Sequence, residues 1–278
     1  MALAVAVVVA IGTAATRGSG AMETCTNSPR ILFAEPCEQI DQDEEARIEH
    51  AGTPPRRVPR KCREAFSRFG DIEIFEDEQE FVDDTFNGKG SHYAYTAADI
   101  AAYGKEAETL EPVVAALLAE NKRLVTKVAV FGSQKPVIEG LLLSLGATKI
   151  VTVEYNALTL DHSRIRTVQG NRLPEDVGRV RLAVLVDALQ HDGLGRYGDP
   201  VCPDADLLTM DHVLQRASYA LVSVPTGRDA VVWNAHRIYG EHRLPLLLQG
   251  WEVQTSQAFT SPILNRTVFL LRKPSPTL

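Results

Sequence analysis

Between residues 96 and 122 apolar side chains recur near helical spacing, with Ile100, Tyr103, Ala107, Leu110, Val113, Val114, Leu117 and Leu118 falling along one stripe. The spacing predicts an amphipathic helix, N-capped at Thr96 and bent near Pro112, where the ring removes a backbone donor. The helix is expected to pack over the edge or face of the segment C-terminal to it; a substrate lid is the alternative. From residue 124 the pattern changes to short, continuous apolar runs. Residues 127–132 (KVAVFG) and 149–155 (KIVTVEY) read as buried strands, and 136–145 between them as a helix with Ile138, Leu141, Leu142 and Leu145 toward the sheet. Strand, glycine turn, helix, strand is a βαβ unit with a right-handed crossover.

The alternation continues. Strands are predicted at 165–168, 180–189 and 219–224 and helices at 206–215 and 229–239, followed by two short late strands at 251–253 and 267–271. The tally predicts an α/β fold: an open, mostly parallel, Rossmann-like sheet closed by a late antiparallel strand, with an N-terminal helical cap. Such a sheet binds ligands outside its strand C-termini, which gathers Gly132, Ser133, Glu154, Asp187, His191 and the loop after Val224 onto one rim.

The first 95 residues read differently. Residues 2–16 (ALAVAVVVAIGTAAT) carry no charge and precede Arg17 and a small-residue segment, the pattern of a secretory h-region and cleavage zone. The run is shorter than the ~18 apolar residues of a membrane span. The expected organisation is a signal peptide or hydrophobic anchor over 1–22, a charged extension over 23–95, and the helical cap with the α/β domain over 96–273. The predicted location is the secretory pathway, with membrane association only through the N-terminal segment; a cytoplasmic protein is expected if that segment does not target.

Charge narrows the partners. Lys and Arg total 29 against 36 Asp and Glu, a net charge of −7, so the chain as a whole has no electrostatic footprint for nucleic acid. The basic stretch at 53–63 (TPPRRVPRKCR) is broken by three prolines and followed by acidic residues at 71–84, which fits a solvated linker or cap. Four cysteines, Cys25, Cys37, Cys62 and Cys202, form no close-spaced pair, which argues against CxxC redox chemistry and a compact zinc site. In a secretory protein Cys25, Cys37 and Cys62 are candidates for one disulfide, with the pairing open. Asn265-Arg266-Thr267 is an N-glycosylation sequon.

Candidate chemistry concentrates in two polar blocks. Residues 191–206 (HDGLGRYGDPVCPDAD) form a glycine-punctuated loop that offers Arg196, Tyr197 and Asp199 to a substrate, and 234–243 (NAHRIYGEHR) adds Arg237 and Tyr239. The alternative for the first block is a rigid connection in which Arg196 pairs with an aspartate and Tyr197 packs. His191 and His236 are candidate general bases, since an unperturbed imidazole titrates near pH 6.5. His191, Asp192, His236 and Asp199 have ligand chemistry but diffuse spacing, and HExxH is absent, so no metal is expected. GxSxG is absent too, which disfavours a hydrolase elbow. The first turn, FGSQKP, has one glycine where a dinucleotide fingerprint has three, which disfavours an NAD-linked dehydrogenase. A single glycine followed by Ser133 still admits an adenosyl group, and Glu154 at the second strand end is placed to accept from ribose hydroxyls.

The strings VFGSQKPVIEGLLLSLGATKIVTVEYN, HDGLGRYGDPVCPDAD and NAHRIYGEHRLPLL resemble the DUF268 family over roughly residues 124–255. That family is related to class I S-adenosylmethionine-dependent methyltransferases. The resemblance implies a class I methyltransferase-type sheet, S-adenosylmethionine as cofactor, and methyl transfer to an oxygen or nitrogen of a small-molecule or glycan acceptor. It implies Gly132, Ser133 and Glu154 on the cofactor, Asp187 or His191 near the transferred methyl, and His191 or His236 as the base. Three motifs depart from the family pattern. Glu154 replaces the usual Asp, DALQH stands for SSxEH with only His191 kept, and PDAD replaces PDGD. The competing reading is a catalytically inactive, methyltransferase-like scaffold that binds a ligand.

Overall fold

The computed structural model describes residues 54–77, 81–85, 91–260 and 264–275. Its elements in chain order are α1 (Arg63–Phe66), β1 (Glu73–Phe75), β2 (His92–Tyr95), α2 (Ala97–Leu110), α3 (Pro112–Glu120), β3 (Lys127–Phe131), α4 (Val137–Ser144), β4 (Lys149–Glu154), β5 (Ala157–Leu160) and β6 (Ile165–Gln169). They continue with β7 (Val180–Val186), α5 (Ala205–Arg216), β8 (Ala217–Pro225), β9 (Ala230–Val232), β10 (His236–Ile238), α6 (Arg243–Leu247), β11 (Glu252–Thr260) and β12 (Asn265–Arg272).

Seven strands form one sheet in the order β11-β12-β8-β7-β3-β4-β6. The five from β6 to β8 are parallel, and β12 enters antiparallel between β8 and β11. Period-2 alternation decides what each face buries. Val128, Val130, Leu182 and Val184 meet α2, α3 and α4 on one face. Ala129, Phe131, Ala183 and Leu185 meet α5 and α6 on the other. Both faces are covered, which is why these strands read as continuous apolar runs. This is the expected open, mostly parallel, Rossmann-like α/β architecture, with a late antiparallel strand.

The 96–122 pattern becomes two helices. Thr96 caps the first through a reciprocal capping box with Asp99, and the chain breaks at Glu111 (φ −135°) before Pro112 starts the second. The helices pack on the sheet. Close approach of α2 to α4 requires glycine on both sides: a Cβ on Gly140 would lie 2.2 Å from the Ile100 carbonyl oxygen.

Three expectations are corrected. Residues 229–239 are not helical: Val231 and Val232 are β-branched, Asn234 adopts φ 62°, and the segment folds as the β9–β10 hairpin, with β1 parallel to β9. The second correction concerns the basic stretch at 53–63, expected to be a solvated linker or cap: over its described residues it packs on the domain instead of staying solvated. Val58, Cys62, Phe66 and Ile72 are buried against Leu194, Val231 and Trp233, and the Trp233 indole donates to the Pro55 carbonyl at 3.0 Å. Alternating charge hid this because the apolar residues are few and widely spaced. Third, Cys202 belongs among the bonded cysteines: both Cys62 and Cys202 are disulfide-bonded. The 1–22 segment, Cys25, Cys37 and the acidic run at 35–50 lie outside the described residues.

Candidate ligand site at the strand switch

Strand β3 has β4 on one side and β7 on the other, so the chain leaves it in one direction and later returns in the other, opening a crevice at the C-terminal ends. A cavity of about 260 Å³ fills that crevice. Phe131, Val153 and Leu185 supply apolar wall, and Gly132, Glu154, Asp187 and His191 stand around it.

Gly132 turns the chain out of β3 at φ +70°, and a Cβ there would meet the Ala188 Cβ at 2.6 Å. Only glycine leaves this cradle open. The turn is braced from beneath by Glu139, a fully buried carboxyl that accepts from Ser133 Oγ at 2.9 Å and Thr152 Oγ1 at 2.8 Å. Burial raises its pKa. Ser133 is thereby committed: its side chain is buried on Glu139 and does not line the cavity, so only its backbone remains for the expected adenosyl contact.

Glu154 ends β4 with its side chain in the cavity. Its Oε1 accepts from the Asn156 backbone N–H at 3.1 Å, and burial raises its pKa. Gly170 and Asn171, just past β6, and Tyr155 complete that side. Burial carries the Tyr155 phenol well above its ordinary range, and its hydroxyl is hydrogen-bonded to the Asn171 side chain.

On the opposite side, beyond β7, Asp187 adopts φ 52°. Burial raises its pKa, opposed by Arg266. His191 sits next on a 3₁₀ turn, with Nδ1 at 2.5 Å from the Ala235 carbonyl oxygen. A carbonyl only accepts, so Nδ1 carries the proton and Nε2 keeps its lone pair. Burial lowers the His191 pKa to about 4, so the ring is neutral at physiological pH. Asp192 is pushed up to about 8 by burial, with Thr209 Oγ1 donating to it at 2.8 Å.

The 191–206 loop closes on itself. Asp199 accepts from the Gly195 and Tyr197 amides at 3.0 and 3.1 Å, and Tyr197 lies edge-on to His191 with centroids 5.6 Å apart. Asp199 and Tyr197 both line the cavity. Arg196 does not: it stacks on Tyr197 and donates to Asp84 Oδ2 at 2.6 Å, the rigid-connection alternative for that residue.

The second polar block is structural. Arg237 is fully buried and donates to the carbonyls of Asp192, Cys202 and Pro203, holding the 191–206 loop from below. Tyr239 is fully buried, its hydroxyl donating to Asp206 at 2.9 Å. Burial pushes the Asp206 carboxyl up, but Arg243 and Arg237 outweigh it and hold it at about 2. The expectation that Arg237 and Tyr239 meet substrate is corrected: both side chains are fully buried, and the two Arg237 Nη atoms and the Tyr239 hydroxyl are committed to the 191–206 segment. His236 lies outside the cavity lining, with burial and Arg196 lowering its pKa.

The structure therefore brings Gly132, Glu154, Asp187, His191, Tyr197 and Asp199 together. Sequence reasoning left out Tyr155, Asn171, Asp192 and Thr209 as lining residues. Asn171 was accessible in principle, because it lies just after a predicted strand whose C-terminus is on the same rim.

An open α/β sheet with a ligand-sized crevice at its strand switch is what this fold and site define. Residues 126–264 match the family described as Caenorhabditis protein of unknown function, DUF268, and the chain belongs to that family. No curated protein matches it. Magnesium protoporphyrin IX methyltransferase from Synechocystis PCC 6803, solved with bound S-adenosylhomocysteine, is similar at 12% identity over 63% of this chain and 86% of that one, with a TM-score of 0.43. The 1,6-didemethyltoxoflavin-N1-methyltransferase of Burkholderia thailandensis is similar at 17% identity, covering 64% and 85%, TM-score 0.44. The N-methyltransferase NodS of Bradyrhizobium japonicum WM9 is similar at 10% identity, covering 61% and 99%, TM-score 0.45.

Proposed function

We propose that this protein is an S-adenosylmethionine-dependent methyltransferase acting on an oxygen or nitrogen of a small-molecule or glycan acceptor. The observation that carries the reading is the pairing of an open glycine cradle at Gly132 with a buried carboxyl at Glu154 in one cavity at the strand switch. The cradle admits a ligand backbone-close at the end of β3. Glu154, whose Oε1 accepts from the Asn156 amide, faces the cavity with a carboxyl that can accept from a ribose hydroxyl.

When bound, S-adenosylmethionine supplies a methyl group on a sulfonium for transfer to the acceptor. The chain's own contribution is positioning and proton removal. His191 presents an unprotonated Nε2 because Ala235 holds Nδ1–H, so the ring is ready to accept the acceptor's proton without first losing its own. The apolar wall of Phe131, Val153 and Leu185 excludes water from the same space. Tyr197, edge-on to His191, limits where an acceptor can lie.

Separate calorimetric titrations of the purified protein with S-adenosylmethionine, S-adenosylhomocysteine and NAD test the reading. Binding of the first two and not the third is the expected result. If none binds, the scaffold reading replaces this one.

A further inference from the structure

The rim that carries the cavity also carries a site with different chemistry. Strand β12 runs antiparallel to the rest, so its first residue, Asn265, lies at the same end of the sheet as the C-termini of the parallel strands. Asn265 is exposed, whereas Arg266, the next residue, turns inward and is buried. Alternation puts Asn265 and Thr267 on one face of the strand, two residues apart. Further along, the same face carries Phe269 and Leu271 into the core, and it opens to solvent at Asn265, where the sequon begins.

Local hydrogen bonds hold the backbone there. The Asn265 carbonyl accepts from the Thr226 amide at 2.9 Å, and the Thr267 and Thr226 hydroxyls lie 2.8 Å apart. Beside Asn265 runs an open surface groove walled by Phe75, Thr226, Arg228 and Ile238. It offers apolar surface and hydrogen-bonding groups next to the amide, the combination a pyranose ring uses when it lies along a protein. A second, independent observation concerns compartment. Cys62 and Cys202 are disulfide-bonded, which is the redox state of proteins matured in an oxidising lumen.

We propose that Asn265 carries an N-linked glycan whose first sugars lie along the Phe75–Ile238 groove. The co-reactant is a lipid-pyrophosphate-linked oligosaccharide. Asn265 Nδ2 attacks C1 of its reducing-end sugar, the N–C1 bond forms as the C1–O bond to pyrophosphate breaks, the lipid pyrophosphate leaves with the electron pair, and Nδ2 gives up one proton. The exposed strand entrance lets the modified chain reach the fold described above without displacing core atoms. This inference does not depend on methyl transfer: it stands or falls on the modification of one side chain.

The test is expression of the full chain, with its own N-terminus, in a eukaryotic cell, followed by glycopeptide mapping before and after peptide-N-glycosidase treatment. Wild type is expected to carry one glycan at Asn265, with aspartate left at that position after the enzyme. Asn265→Gln and Thr267→Ala are expected to lose it, while Thr267→Ser, which keeps the hydroxyl, retains it. An unmodified Asn265 in protein whose Cys62 and Cys202 are oxidised overturns the proposal. So does a chain that stays in the cytosol with those cysteines reduced.

Discussion

Arg266 Nη2 lies 2.7 Å from Asp187 Oδ1, joining the antiparallel strand β12 to the rim of the cavity. The same guanidinium donates to Ser223 Oγ at 2.8 Å and to Glu111 Oε1 at 3.3 Å, and stacks on Phe259. One buried cation therefore fastens the α2–α3 joint, the end of β8 and a backbone position, Asp187, that non-glycine residues seldom adopt.

Replacing Arg266 by Met removes the counter-ion of two carboxyls whose pKa burial already raises. Expected destabilisation is on the order of 2–3 kcal/mol, read as a lower urea midpoint. Asp187→Asn should cost less, because asparagine tolerates the left-handed conformation. Equal midpoints for the two variants would show that Arg266 secures nothing beyond Asp187.

Glu154→Ala is expected to weaken S-adenosylhomocysteine binding about tenfold, the equivalent of one lost hydrogen bond of ~1.4 kcal/mol. Isothermal calorimetry on wild type and variant reads this directly. An unchanged dissociation constant removes Glu154 from the ribose role while leaving the fold untouched.

For His191 the expected ¹⁵N signature is a neutral ring protonated at Nδ1, unchanged from alkaline pH down through 6.5 and shifting only as pH nears about 4. In the same ring, His191→Ala should lower turnover more than cofactor affinity. Titration near pH 6.5 in the folded protein would show that burial does not hold the ring in its neutral form.

Asp192 makes a stability prediction whose sign is set by its raised pKa, about 8 against the ordinary 3.8. Below pH 3.8 both folded and unfolded chains hold the proton and Asp192 contributes nothing. As pH rises toward 8 only the unfolded chain releases it, so stability falls across that window. Asp192→Asn removes this loss, and its melting temperature should gain on wild type by about 4 °C or more between roughly pH 5 and pH 8. A constant difference across that range would place the charge elsewhere.

Much of the sheet was legible because strands buried on both faces leave an uninterrupted apolar run, as at 127–131 and 180–186. The rim came with it: a strand's C-terminus is a position in sequence, so Gly132, Glu154, Asp187 and His191 could be placed from the chain alone. Arg237 and Tyr239 were not legible as structural, since a polar side chain that feeds buried carbonyls has the same composition as one that meets a ligand. Residues 229–239 misled for another reason. A three-residue strand such as β9 is held between β10, its hairpin neighbour, and β1, far earlier in the chain, and no local pattern records the second partner.

The insertion of β12 between β8 and β11 bears on the order of events during synthesis. The five parallel strands are all synthesised before residue 265, but among the described residues β11 has no sheet neighbour and Asp187 no ion-pair partner until β12 is added. A chain truncated between β11 and β12 would thus hold the five parallel strands with an open edge and an unfastened rim. The strand that completes the edge of the sheet is also the one that fastens the candidate site, so a secured rim at Asp187 requires a chain that extends through Arg266.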